Sequence, residues 1–440
     1  MATLTNEAPA APPRRGLSLQ TFSAFKSAPF TFLWLNSFSF ALSQSIRQFT
    51  FTWLVISELG NSGRTIGLLS FALGIPVLVF GLPAGALTDR MNRRFLLFAS
   101  QGSALVITAV TALVVRSGDA PVSAYVGLAM LLGVTVAFGQ PVRSSIVPSL
   151  VPKERLLNAI TLQGLGQNVS SIAGPFVLGD IIANWGVTGA FWAQAGLLAL
   201  GLLALIPLRV PNMALTTKRD IVGELREGFT FIRHHEGVRT LLIALLMTAL
   251  VMAGTFQALL PKLAFDEWGA SGRKAAWLFG LMGFGMLSTS LFLASRGRLE
   301  KAGLAFACTL IVGGTLNTLT GLSPTYTIAA ILLFVTGFNA GFFQNLNLML
   351  IQAHTPAPIM GRVMAIYTMC MAGGMPIGAL LAGEMSDVVG ADTWYVVCGI
   401  TFGISALLLF LTQPALRRMR SMPEAEVRPV TPVAEAAAGG

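Results

Sequence analysis

The 440-residue chain is 54% hydrophobic and only 11% charged, against roughly a quarter charged in soluble domains, which excludes a soluble globular protein. Its formal net charge of +10 is spread over many short segments and not gathered into one face or tail, so nucleic-acid binding is not expected. Cys308, Cys370 and Cys398 lie in apolar stretches without CxxC spacing, a pattern that indicates neither disulfides nor a metal site.

Residues 1–28 are rich in Ala, Pro and polar side chains, carry Arg14, Arg15 and Lys26, and lack the apolar core of a cleaved signal; a disordered cytoplasmic tail is expected. From Phe30 onward, twelve segments are long enough to cross about 30 Å of hydrocarbon at a rise of about 1.5 Å per residue. They are 30–57, 66–88, 95–115, 122–141, 156–182, 188–209, 240–261, 274–295, 302–321, 326–352, 362–385 and 393–413. These runs are too long and too uniformly apolar for the alternating strands of a membrane barrel, which leaves helices.

Twelve crossings return the chain to its starting side. Of the 29 Lys and Arg, only Arg64, Arg116, Lys262, Arg273 and Lys274 fall on the outer side in this layout, and Arg47 falls within a span. Positive charge favours the cytoplasm, so both termini are expected there, and one helix more or fewer would erase the bias. The longest internal connection, 211–239, holds Lys218, Arg219, Arg226, Arg233 and Arg239 with interspersed acids. It separates an N-terminal six-helix bundle (29–210) from a C-terminal one (240–414), with a surface helix expected over 220–232 and a second disordered cytoplasmic tail over 415–440. The fifth span carries Ile-Ala-Gly-Pro-Phe-Val-Leu-Gly-Asp (172–180), and the eleventh carries Gly-Gly-Met-Pro-Ile-Gly-Ala-Leu-Leu-Ala-Gly-Glu (373–384). Both are rich in Gly and Pro and both end in a carboxylate near the outer face, as parallel repeats related by an axis along the membrane normal would place them.

Between the second and third spans stands Gly85-Ala86-Leu87-Thr88-Asp89-Arg90-Met91-Asn92-Arg93-Arg94. With twelve spans and a central linker, this segment resembles the signature of the major facilitator superfamily: Gly, a hydrophobic pair, Asp-Arg, then Gly-Arg-Arg or Lys. Asn92 replaces the second glycine, a mild change because asparagine tolerates the left-handed backbone conformation. Gln140-Pro141-Val142-Arg143 through Pro152, then Leu157-Asn158-Ala159 and Gly361-Arg362-Val363, are similar to the bacterial exporter branch that includes the enterobactin exporter and macrolide efflux proteins. The resemblance implies an all-α polytopic membrane protein with two pseudo-symmetric six-helix bundles. It also implies alternating access around a central cavity, coupling to protons, and a place in the bacterial inner (plasma) membrane. No cofactor or metal is implied, and a monomer is expected.

By the resemblance, Gly85, Asp89, Arg90, Arg93 and Arg94 form a cytoplasmic latch; the plainer reading is a topology anchor. Arg47 lies deep in the first span, and an intramembrane arginine survives only beside a wet cavity or a partner. Asp180 or an anionic substrate group can fill that role, unless the side chain snorkels to the surface. Asp180 and Glu384 are the candidate proton carriers, since a desolvated carboxylate titrates nearer neutrality; near the helix ends each is equally compatible with hydration. The polar side chains Asn36, Gln44, Gln48, Gln167, Gln257, Gln344 and Asn345 suggest a cavity lining, with some expected instead to bond between helices. Gly174, Pro175 and Pro376 mark a kink or a hinge. The leading function is proton-coupled export of a small amphipathic molecule, a siderophore or drug. An importer of the same fold is the alternative. A membrane-embedded enzyme is disfavoured, because His234, His235 and His354 have no acid or nucleophile in a reactive arrangement.

Overall fold

The computed structural model describes residues 19–88, 91–210, 221–296 and 301–414, together with Leu416 and Met419. All regular structure among them is helical, as hydrocarbon demands of a single segment that must satisfy its own backbone N–H and C=O groups. The helices are α1 (Ala28–Glu58), α2 (Gly63–Thr88), α3 (Arg93–Ser117), α4 (Val122–Leu150), α5 (Leu156–Leu205), α6 (Ile221–His234), α7 (Glu236–Met247), α8 (Gly254–Asp266), α9 (Gly272–Arg296), α10 (Ala302–Gly321), α11 (Tyr326–Ala353), α12 (Met360–Val389) and α13 (Ala391–Thr412). A six-residue π-helical turn, Thr248–Ala253, joins α7 to α8.

Among the described residues, ten helical segments are long and apolar enough to cross a membrane. One of them, Lys153–Leu205, has 53 residues, or about 80 Å of helix, more than twice the hydrocarbon thickness. It breaks at Gly186, whose φ of 64° and ψ of −169° suit a residue without Cβ. That is where the sequence reading separates its fifth and sixth spans. With the 31-residue α1, the layout is consistent with twelve crossings.

Three local readings change. The helix expected to end at Pro141 runs on to Leu150 through Pro141 and Pro148, so Arg143 is buried within α4 and not in a cytoplasmic loop. The expected tail ends early, since Leu19–Lys26 forms a short 3-10 helix held to α5 by a 2.9 Å bond from the Ala24 amide to Asn158 Oδ1. Asn92 is not left-handed. At φ −61° it is the N-cap of α3, and its side chain accepts from the amides of Arg94 and Phe95, supplying an acceptor that glycine lacks. The linker helix α6 matches the expected surface helix, and Arg362 at the start of α12 forms an ion pair with its Glu227.

The halves, α1–α5 and α7–α13, meet along α2 with α12 and α5 with α9. Backbones come close there. A side chain at Gly67 would lie 2.8 Å from the Ala379 carbonyl, and one at Gly179 would lie 3.0 Å from that of Arg273. These contacts gather at the end of the molecule that carries the α1–α2, α8–α9 and α12–α13 turns. Toward the other end, which holds both described chain ends and α6, the helices part, and a side chain at Gly81 or Gly85 would meet open space.

Within the C-terminal half, Gly378 of α12 lets the π-helical turn approach so closely that an added Cβ would overlap the Leu250 carbonyl. Overpacking of a tight contact costs about 1–3 kcal/mol. Gly378→Ala is therefore expected to lower the thermal unfolding temperature in detergent, whereas Gly81→Ala, with open space around it, is expected to leave it unchanged or raise it.

Candidate functional site

A cavity of about 1130 Å³ lies between the halves, lined from α1, α2, α4, α5, α8, α9 and α12. Gln44, Gln48, Gln140, Gln163, Gln167 and Gln257 give it neutral polar groups, while Phe49, Phe279, Met369 and Met375 give it apolar ones. Such a mixture of broad apolar wall and few polar anchors suits an amphipathic ligand. Its charges are all positive. Arg47 and Arg143 line it, and no Asp or Glu does among the described residues.

Arg143 was not anticipated here. Its Nε donates to Asn36 Oδ1 at 3.1 Å, its Nη2 to Gln101 Oε1 at 2.5 Å, and its guanidinium lies 3.8 Å from the Phe40 ring centroid. Asn36 and Gln101 donate in turn to the Gly201 and Leu198 carbonyls, each at 3.0 Å. One arginine thus ties α1, α3, α4 and α5 together, its charge resting on neutral oxygens and an aromatic face. The signal in the sequence was Asn36 and Gln101, two amides in apolar helices with nothing nearby to satisfy them.

Arg47 is the barer of the two. It is 2% exposed, and its Nε and Nη2 are buried without a hydrogen-bond partner. Asp180, considered above as its partner, instead forms an ion pair with Arg273 at 2.9 Å.

The expected site residues divide accordingly. Arg47, Gln44, Gln48, Gln167, Gln257, Pro175 and Pro376 come together in the cavity. Asn36 belongs to the interhelical Arg143 network. Gln344 and Asn345 are exposed on α11, where the Asn345 amide bonds back to Gly341 at 2.8 Å. Gly174 allows close packing of α5 on α1, since a side chain there would overlap Ser45. Of the loop after α2, Asp89 and Arg90 lie outside the described residues. Arg93 donates to the Ser145 carbonyl at 3.1 Å and Arg94 to that of Ile206 at 3.0 Å, both acceptors belonging to their own half.

Asp180 and Glu384 stand at the closed end, with side chains 60% and 44% exposed, so neither is a desolvated cavity carboxylate. Each spans the two halves. Asp180 on α5 pairs with Arg273 on α9, and Glu384 on α12 pairs with Arg64 on α2 at 3.0 Å. The arginines sit in matching tripeptides, Ser62-Gly63-Arg64 and Ser271-Gly272-Arg273, and the acids follow Gly179 and Gly383. This clamp is written twice, once per half. Asp387 adds to it by accepting from the Gly63 and Arg64 amides at 2.7 and 2.9 Å and from Ser62 Oγ at 2.9 Å, a carboxylate seated at the N-terminus of a helix from the other half.

The whole-chain comparisons agree with this architecture. Solved structures of similar shape include the nucleoside transporter NupG, with a TM-score of 0.68 and 14% identity over 87% of this chain and 99% of that one. A bacterial homologue of the human lysosomal transporter Spinster, in an inward-facing and occupied conformation, gives a TM-score of 0.66 and 14% identity, covering 91% of this chain and 97% of that one. Curated relatives include macrolide efflux protein A of Streptococcus pyogenes, 22% identical over 83% of this chain and 91% of that protein. The multidrug efflux pump Tap of Mycolicibacterium fortuitum is 25% identical over 90% and 98%. The profile described as transmembrane secretion effector matches residues 19–436, and the chain belongs to that family of major facilitator transporters.

Proposed function

We propose that this protein exports a small amphipathic molecule across the bacterial inner membrane by alternating access, and that the conformation described above is its inward-facing one. The observation that carries the reading is the pairing of a cavity with a closure of exposed ion pairs on one side only. The cavity reaches the end that bears both described chain ends and α6, for which the excess of Lys and Arg supports a cytoplasmic location, and the duplicated clamp shuts the opposite end. Exposed ion pairs contribute only about 0.2–1 kcal/mol each, so the clamp is weak enough to open in each cycle. The relatives named as macrolide and multidrug efflux pumps support export as the direction.

The proton gradient is the proposed driving force, with Asp180 and Glu384 as carriers. Protonation of either from the outside removes one clamp ion pair and so favours opening on that side, and coupling requires in addition that the proton pass from the acid to the cavity and the cytoplasm before the ion pair re-forms. The latch after α2 acts at the other end. With the cytoplasmic side open, Arg93 and Arg94 bond to carbonyls of their own half, and closure on that side brings their loop against the second half.

Joining Arg64→Cys to Glu384→Cys with a short reducible thiol cross-linker, in a background lacking Cys308, Cys370 and Cys398, is expected to abolish transport into inside-out vesicles and reduction to restore it. Undiminished transport by the cross-linked protein would exclude opening at that end. Asp180→Asn combined with Glu384→Gln is expected to leave transport that no longer responds to collapse of the proton gradient. A double variant as gradient-dependent as the parent would remove both acids from coupling.

A further inference from the structure

Resting on the export reading, we infer that Arg47 is the binding site for an anionic group of the transported molecule, so that the substrate class is an amphipathic anion. A guanidinium withdrawn from water carries a large desolvation penalty unless a counter-charge or full hydrogen bonding offsets it. Arg47 has neither within the described protein, since its Nε and Nη2 are buried without partners. Of the acids at the closed end, Asp180 pairs with Arg273, Glu384 with Arg64 and Asp266 with Lys262, and among the described residues none forms an ion pair with Arg47. Nε and Nη2 together form one edge of the guanidinium fork, the edge that takes a carboxylate, sulfonate or phosphate through two parallel hydrogen bonds.

Arg143 adds a second positive charge to the same cavity. Its neutral partners leave that charge unopposed, and its Nη1 is also buried without a partner. Arg143 is held by Asn36, and Arg47 stands further along α1 by 47 − 36 = 11 residues, about 16 Å of helix toward the closed end. An entering anion meets Arg143 nearer the mouth and comes to rest at Arg47. Phe49 and Phe279, which line the same cavity, receive its apolar body. A cationic ligand would face two unopposed like charges in a confined, weakly screened space.

The test uses the purified full chain in lipid nanodiscs and two fluorescent probes of one shape, 5-dimethylaminonaphthalene-1-sulfonate and its uncharged sulfonamide. Saturable binding of the sulfonate is expected, about tenfold or more tighter than that of the amide. Arg47→Gln should weaken the sulfonate about tenfold or more while leaving the amide within about twofold, and Arg47→Lys should recover part of the loss. Because it removes an uncompensated buried charge, Arg47→Gln should also raise the Tm of the ligand-free protein, as the sulfonate should for the parent. The inference is overturned by equal binding of the two probes, by no saturable sulfonate binding, or by a sulfonate affinity indifferent to Arg47→Gln. Inorganic phosphate binding as tightly as the sulfonate would assign the site to free small anions and overturn the substrate class. Sulfonate binding without accumulation in inside-out vesicles would count against export and leave the anion site standing.

Discussion

Close approach of two helix pairs at one end of the molecule is the contact on which everything else depends. Along α2 with α12 and α5 with α9, glycines bring backbone against backbone, and the opposite half supplies ion pairs and a helix-capping carboxylate at the rim. No single contribution is large. Exposed ion pairs give about 0.2–1 kcal/mol each and a capping interaction about 0.5–2, so the polar rim totals a few kcal/mol. That is the scale a bound ligand can overcome, since about 5.5 kcal/mol of differential affinity swings a two-state balance from 1:99 to 99:1. Buried apolar contacts also cross the seam, with Phe49 against Phe279 and Trp53 against Phe265 at ring-centroid distances of 5.5 and 5.9 Å, and a change of state must exchange these for others.

The low dielectric of the bilayer sorts the charges. Those at the ends are hydrated or paired, and the two in the interior face the cavity. Arg143 serves the scaffold as well as the cavity, because four helices meet on the bonds that satisfy it. Arg47 contributes nothing comparable to the scaffold, which is why its burial beside the cavity points to a ligand. The same logic moves Asp180 and Glu384 away from the cavity interior and into the closure, where each forms an ion pair with an arginine of the other half.

Much of this was legible in the chain. Span lengths marked the membrane helices, because the bilayer fixes them through length alone, while the asymmetry of Lys and Arg supplies the orientation on which the proposed function rests. The Gly-Pro segments ending in Asp180 and Glu384 marked the related helices of the two halves. What the sequence hid was three-dimensional pairing. Gln140-Pro141 read as a helix end, since the residue before a proline avoids the helical region, yet α4 continues and carries Arg143 inward to partners at positions 36 and 101. The repeated Ser-Gly-Arg at 62–64 and 271–273 was visible as text, but its meaning needed the opposing Gly-Asp and Gly-Glu to be placed across the seam. Asn92 was misjudged for a different reason, because a side chain that tolerates the left-handed region is equally an N-cap, and only the backbone angle decides between them.

The central claim is that the two halves rock about the cavity, one end opening as the other closes. Spin-label distances measured in lipid at both ends at once test it most directly: Ser117 with Leu322 at the clamped end and Leu157 with Ala357 at the open end, all four exposed. A shift in conformation on imposing a proton gradient should lengthen the first distance and shorten the second together. Distances that stay fixed, or that change in the same sense at both ends, would contradict the account.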